Sequence, residues 1–233
     1  MKNGSGLSTP KTNNKNISSA RGLYEPSFEH DSCGIGFLAN LDGIPENKII
    51  EHALTISERL EHRGGCGCED NTGDGAGILI QIPDEFFRKI AHDHGVDLPK
   101  VGRYGSGMVF LSQDREERSK QKKYIESVCA EEKQEILFWR DVPINDGEIG
   151  PTAKNARPFV EQLFIKASSS NKSRLDFERK LFIIRKLIER RTSNRNNIEA
   201  CYFSSLSSKT FCYKGMLLGL SLIHISEPTR LCR

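Results

Sequence analysis

A mixed α+β architecture, with largely antiparallel sheets and helices on their faces, is the fold class this sequence predicts. Short apolar runs with β-character recur along the chain. Between them lie segments whose apolar residues fall at helical spacing. The late strands are joined by turns too short for a crossover, which favours antiparallel pairing.

In chain order, residues 1–22 are polar and cannot bury enough surface to offset their ordering entropy, so they are expected to be disordered. Cys33–Leu41 (CGIGFLANL) reads as a strand closing in a turn at Asp42-Gly43. Pro45–Arg63 follows as an amphipathic helix, with Ile49, Ile50, Ala53, Leu54, Ile56 and Leu60 at helical spacing and Gly64-Gly65 as its break. A glycine-rich loop, Gly73–Gly77, leads into a buried-type strand, Ile78–Ile82. A short helix then starts at Pro83 and ends at His94, before Gly95. Strands are expected at Tyr104–Leu111, Leu137–Val142 and Pro158–Ala167, and a charged helix at Asp114–Glu132. Arg174–Arg191 carries Leu175, Phe177, Leu181, Ile184, Leu187 and Ile188, read as one helical face. Cys201–Leu206 and Thr210–Met216 read as two strands joined by a tight Ser-Ser-Lys turn.

The 233 residues leave room for one large domain or two small ones. Lys and Arg number 34 against 31 Asp and Glu, so a net charge of +3 makes no electrostatic case for a nucleic-acid partner. No apolar stretch is long enough for a membrane-spanning helix, so no membrane partner is expected. The seven cysteines are an odd number, and the run Ile35–Leu41 is too short and too late for a signal peptide. Reduced thiols in the cytoplasm are therefore expected. The acid-free stretch before Glu25 makes an organellar, for instance plastid, transit peptide the alternative.

Chemistry concentrates in three places. Cys33 opens an apolar run and is followed by Gly-x-Gly, which leaves little bulk around its sulfur; its composition equally suits a small core residue. Arg63, in Glu61-His62-Arg63-Gly64, can fork onto a carboxylate or simply complement a helix C-terminus. The loop Asn71–Gly77 matches neither a Walker A loop nor the dinucleotide fingerprint and reads as a tight turn before a strand. Cys66-Gly67-Cys68, with His62 nearby, lacks the second ligand pair of a zinc site, so no metal is expected.

The segments HDSCGIGFLANLDG, ERLEHRGGCGCEDNTGDGAGILIQIP, YGSGMVFLS, FWRDVPIN, IGPTAKNARPFVEQLFI and SSLSSKTFCYKGML, from Tyr24 to Leu217 in unbroken order, together resemble the amino-terminal amidotransferase domain of the large subunit of glutamate synthase. CGIGF and HRG recur across class II glutamine amidotransferases, whereas TGDGAG and WRDVP look specific to glutamate synthase. The resemblance implies an N-terminal-nucleophile (Ntn) hydrolase fold, a four-layer sandwich of two antiparallel sheets between helices. It implies that residues 1–32 are a leader or propeptide whose removal makes Cys33 the first residue, and that 33–217 form a partial amidotransferase domain. Cys33 would be the catalytic nucleophile on L-glutamine, and Arg63 the substrate-binding arginine beside it.

For the whole enzyme, the resemblance implies 2-oxoglutarate as ammonia acceptor, FMN and a 3Fe-4S cluster outside this segment, NAD(P)H or ferredoxin as electron donor, and a small (beta) partner subunit. The family's oxyanion donors, an Asn-Gly pair, belong downstream of Met216, so the sandwich is expected to be incomplete at its C-terminus and this chain inactive alone. LSLIHISEPTRLCR resembles a translated sequencing adapter, and residues 218–233, which contain it, are expected to be non-native. Another class II amidotransferase, serving purine or amino-sugar synthesis, and an inert truncated remnant are the competing readings.

Overall fold

The computed structural model describes residues 34–60, 75–144, 150–193 and 198–215, all within one compact unit. It contains five helices and six strands among the described residues. They are α1 (Asn47–Arg59), β1 (Ala76–Gln81), α2 (Asp84–Asp93), β2 (Tyr104–Leu111), α3 (Arg115–Glu131), β3 (Glu135–Asp141), α4 (Pro151–Ala156), β4 (Phe159–Lys166), α5 (Arg174–Ser193), β5 (Tyr202–Phe203) and β6 (Thr210–Gly215). Every strand pairing among them is antiparallel. The strands form a four-stranded sheet in the order β3-β4-β2-β5 and a two-stranded sheet, β1-β6. The predicted α+β class with antiparallel sheets holds.

The helices start and stop for local reasons. Asp114 caps α3, its side chain accepting from the Glu117 amide at 2.7 Å. Asp84 and Glu85 lie in the first turn of α2, where they complement the helix dipole. That helix ends before Gly95, which sits at φ +69°. The six-residue α4, with Pro151 in its first turn, buries no side chain, so it has no apolar periodicity to announce it.

Strand alternation divides the core in two. One face of the four-stranded sheet, with Val109, Leu163 and Ile165, packs under α3 and α5 through Ile125, Val128, Phe177 and Leu181. The other face, with Tyr104, Met108 and Phe164, packs against α2 and the inward side chains of β1-β6. Phe87 of α2 meets Phe164 and Phe211 edge-on, at 5.2 and 5.3 Å, and so joins both sheets through one ring.

The inter-sheet core also holds a polar row across three strands. Arg140 donates to Gln162 Oε1 at 3.0 Å, and Gln162 Nε2 donates to Ser106 Oγ at 3.0 Å. All three are buried. Gln162→Leu strands its partners and is expected to cost about 2 kcal/mol, whereas adding Ser106→Ala in that background recovers part of the loss. Denaturant titration of the double-mutant cycle checks the pair, and strictly additive effects would refute the coupling.

Three expectations need correction. Gly34–Leu41 is not a strand. Ile35 and Phe37 are 94% and 92% exposed, and the segment joins no ladder among the described residues, although the turn at Asp42-Gly43 forms, with Gly43 at φ +68°. The two late strands are not a hairpin. β5 pairs with β2 and β6 with β1, so the Ser204–Lys209 segment passes from one sheet to the other. It can do so because Gly105 and Gly107 leave room over β2, where Ser106 and Ser207 exchange backbone hydrogen bonds at 3.0 and 3.2 Å. Leu175, finally, is 52% exposed and leaves the buried face of α5, which consists of Phe177, Leu181, Ile184 and Ile188.

Candidate active site

Cys33 and Arg63 lie outside the described residues, as do Cys66, Cys68 and His62. The described chain brings their immediate neighbours together. Gly34 lies against Leu60, just past the end of α1, so a Cβ on Gly34 would stand 3.1 Å from the Leu60 side chain. A Cβ on Gly36 would stand 2.6 Å from Ile56 of the same helix. The residue after the predicted nucleophile and a residue three positions before the predicted arginine are therefore in contact. Gly-x-Gly, read from sequence as room for a substrate, also serves to seat an extended strip directly on α1.

The glycine loop has a similar explanation where it is described. Gly75 adopts φ +131°. A Cβ on Gly77 would fall 2.9 Å from the Tyr213 carbonyl oxygen, so glycine lets β1 approach β6 closely. α1 touches β1. The helix that ends before Arg63 and the strand that follows the loop thus belong to one local assembly.

The described thiols do not compete for the nucleophile's role. Burial pushes Cys129 up to about 12 and Cys201 up to about 11, and burial raises Cys212 as well. A thiol so far above neutrality carries almost no thiolate and is inert. Among the described residues no group of His, Cys, Asp or Glu is placed to hold a metal ion. Tyr104, buried and donating to Asp84 Oδ1 at 2.7 Å, is held well above the ordinary phenol range by burial and by that carboxylate. Arg88 closes the same cluster, pairing with Asp84 at 2.8 Å and donating to the Leu98 and Pro99 carbonyls. Every group there is engaged in holding α2 to the start of β2, a structural assignment. Of the WRDVP segment, Arg140 points into the core, while Trp139 donates to Glu126 at 3.3 Å and lies under Lys122.

The family model for class-II glutamine amidotransferases matches residues 33–225, starting at Cys33 itself. That span is most of the chain. The chain belongs to the class-II glutamine amidotransferases. Within this enzyme family, it is homologous to the large chain of glutamate synthase. It is 50% identical over 200 residues to the glutamate synthase [NADPH] large chain of Bacillus subtilis, covering 85% of this chain and 13% of that protein. It is 40% identical over 198 residues to the chloroplastic ferredoxin-dependent glutamate synthase of Oryza sativa, covering 85% and 12%. Against the ferredoxin-dependent glutamate synthase of Pyropia yezoensis the figures are 35% over 210 residues, 89% and 13%. The amidotransferase sequence thus spans about an eighth of the length of these relatives. No helix among its described residues is long and apolar enough to cross a membrane.

The polar row Arg140–Gln162–Ser106 and the exposed face of α5 escaped the sequence reading. Inward alternation along β4 could have flagged Gln162 as a polar residue at a core position. Helical phase already sets Phe182 and Ile183 apart from the buried residues beside them, since both fall off the face that carries Phe177, Leu181, Ile184 and Ile188.

Proposed function

We propose that this amidotransferase is the glutamine-hydrolysing part of a glutamate synthase large chain, with Cys33 as nucleophile and Arg63 ordering the substrate. The match of the class-II family model beginning at Cys33 carries the reading. A side chain that must present its own α-amine has to come first in the mature chain, so residues 1–32 would be removed.

The chemistry follows from the amine. While the Ser32–Cys33 peptide bond is intact, the Cys33 nitrogen is an amide and cannot act as a base. Once freed, it has a pKa of roughly 7.7–8.0 and accepts the thiol proton near neutrality. The sulfur attacks the side-chain amide carbon of L-glutamine. The resulting tetrahedral intermediate collapses, the C–N bond breaks, and the nitrogen leaves as ammonia with the proton returned by the amine. A γ-glutamyl thioester remains, and water releases glutamate and the free thiol. The guanidinium of Arg63 suits paired hydrogen bonds to the glutamine carboxylate.

The family's wider reaction places ammonia on 2-oxoglutarate and needs reducing equivalents. It also calls on FMN and a 3Fe-4S cluster, and among the described residues no group of cysteines is placed to hold the cluster. Cys129 and Cys201 are buried with raised pKa values, and a cluster needs gathered thiolates. We place those groups, the NAD(P)H or ferredoxin donor and the small-subunit contact outside the matched region. The four-layer sandwich, with α1 over β1-β6 as its fourth layer, and a cytoplasmic or plastid location belong to the same proposal.

N-terminal sequencing and intact mass of the native protein test it. A start at Cys33 with a mass far above 26.2 kDa is expected. A start at Met1 with a mass near 26.2 kDa means that the amine is never freed and leaves an inert amidotransferase-like remnant.

A further inference from the structure

We infer that Ile56 and Leu60 are positioning residues for the glutamine nucleophile, fixing through Gly36 and Gly34 where the sulfur of Cys33 can reach, an inference that rests on the reading above of Cys33 as that nucleophile.

The strip that follows Cys33 lies along α1 in one register. Ile35 and Phe37 point away from the helix and are almost fully exposed, whereas a Cβ on Gly34 or Gly36 would point into it. Two extended residues advance about 6.6 Å, and the four helical residues from Ile56 to Leu60 about 6 Å, so the contacts Gly36–Ile56 and Gly34–Leu60 are in step. The far end of the strip is tied to the entry of α1. Asn40 Nδ2 donates to Ile44 O at 3.1 Å and to Glu46 Oε1 at 3.2 Å. A slip of one residue would put Ile35 or Phe37 where a glycine has no room for a Cβ.

Close approach, and not backbone conformation, is what requires these glycines. Neither has a positive φ, so alanine suits the backbone at both positions. At Gly36 the obstacle is Ile56 Cγ2, 2.6 Å from the added Cβ. That methyl sits on the branched Cβ of a helical residue, whose χ1 is nearly fixed. The strip is open to solvent on its other side, so the strip must give. Ordinary van der Waals contact requires the two groups to part by about 1 Å. Cys33 is bonded to Gly34 and moves with the strip, while Arg63 follows Leu60 by three residues on the helix side of the contact. A misplacement of about 1 Å can cost on the order of 10²-fold in rate.

Kinetics of Gly36→Ala test this in the full-length native protein, using the fraction that begins at Cys33. The kcat with glutamine is expected to fall about tenfold or more, with KM for glutamine moving less than about threefold and turnover on supplied ammonia staying within about twofold. Ile56→Ala removes the obstructing Cγ2, so adding it to Gly36→Ala should restore most of the lost kcat. A glutamine kcat that stays within about twofold in Gly36→Ala overturns the inference, as does an equal fall in both turnovers, or a loss that the double variant does not recover. Should Gly36→Ala yield no folded, processed protein, Ile56→Ala alone decides. It adds no bulk and unseats the strip, so a several-fold loss of glutamine kcat with ammonia turnover kept is expected, and an unchanged kcat overturns the inference. Glutamine turnover that is absent from the unaltered protein, or that survives Cys33→Ala, removes the functional reading and this inference together. An active, Cys33-dependent parent whose glutamine kcat ignores positions 36 and 56 removes only the inference.

Discussion

Cys33→Ala in the full-length protein is expected to abolish glutamine-dependent turnover, a fall on the order of 10⁴ or more, since in the proposed mechanism the thioester forms on that sulfur. Turnover supplied directly with ammonia should survive in the same variant, because the proposed ammonia-consuming step does not use the thiol. Loss of both activities would mean that the variant misfolds or that Cys33 is structural. In the unaltered protein, a glutamine analogue bearing an electrophile should label Cys33 at pH 7 and leave Cys129 untouched. With its pKa pushed to about 12, Cys129 keeps only about one part in 10⁵ as thiolate at that pH. The pH profile has a definite sign. The α-amine must be unprotonated to take the thiol proton, so the rate should fall about tenfold per pH unit below roughly 7.7–8.0 and level off above. A rate that rises as the amine becomes protonated would exclude it as the base.

The parts of this fold that were legible in the sequence are those whose side chains report their own surroundings. β2 and β4 carry near-continuous apolar runs because both faces of their sheet are covered, and that composition set their limits closely. α2 announced itself by a proline, early acids and a terminal glycine, each acting within a few residues. What failed was whatever depends on distant partners. Gly34–Leu41 has the composition of a strand, yet composition does not supply a neighbour to pair with, and Ile35 and Phe37 remain exposed. Thr210–Gly215 was recognised as a strand, but its partner is β1, more than a hundred residues earlier, rather than β5 just before it. The site divides in the same way. Cys33 and Arg63 came from a motif resemblance. The contact of Gly34 and Gly36 with α1, which brings the neighbours of both positions together, is a tertiary fact that no local pattern contains.

Gly107→Ala is expected to be the most damaging single methyl group that can be added to the described core. A Cβ there would fall on the Ser205 carbonyl oxygen and 3.0 Å from the Leu206 side chain. A backbone oxygen cannot swing aside as a side chain can. Moving it pulls on the Ser204 amide, which donates to Met108 O at 3.2 Å, and on the Ser106–Ser207 pair. It also disturbs the Ser205 hydroxyl, which accepts from the Cys212 amide at 3.0 Å and so links the crossing segment to β6. Overpacking ordinarily costs about 1–3 kcal/mol, and with several hydrogen bonds strained together the loss here should reach or pass the top of that range. For a domain of this size that corresponds to a fall in Tm of roughly 6–12 °C. Gly105→Ala should cost less, because its nearest neighbour, at 2.5 Å, is a terminal methyl of Leu181 that can change rotamer. Gly43→Asn, at φ +68° with no atom within 4 Å of the added Cβ, should be nearly neutral, since asparagine tolerates left-handed backbone. Thermal melts of the three variants rank them. If Gly107→Ala melts with the unaltered protein while Gly105→Ala does not, the segment does not cross β2 at Gly107, and the passage of the chain between the two sheets must lie elsewhere.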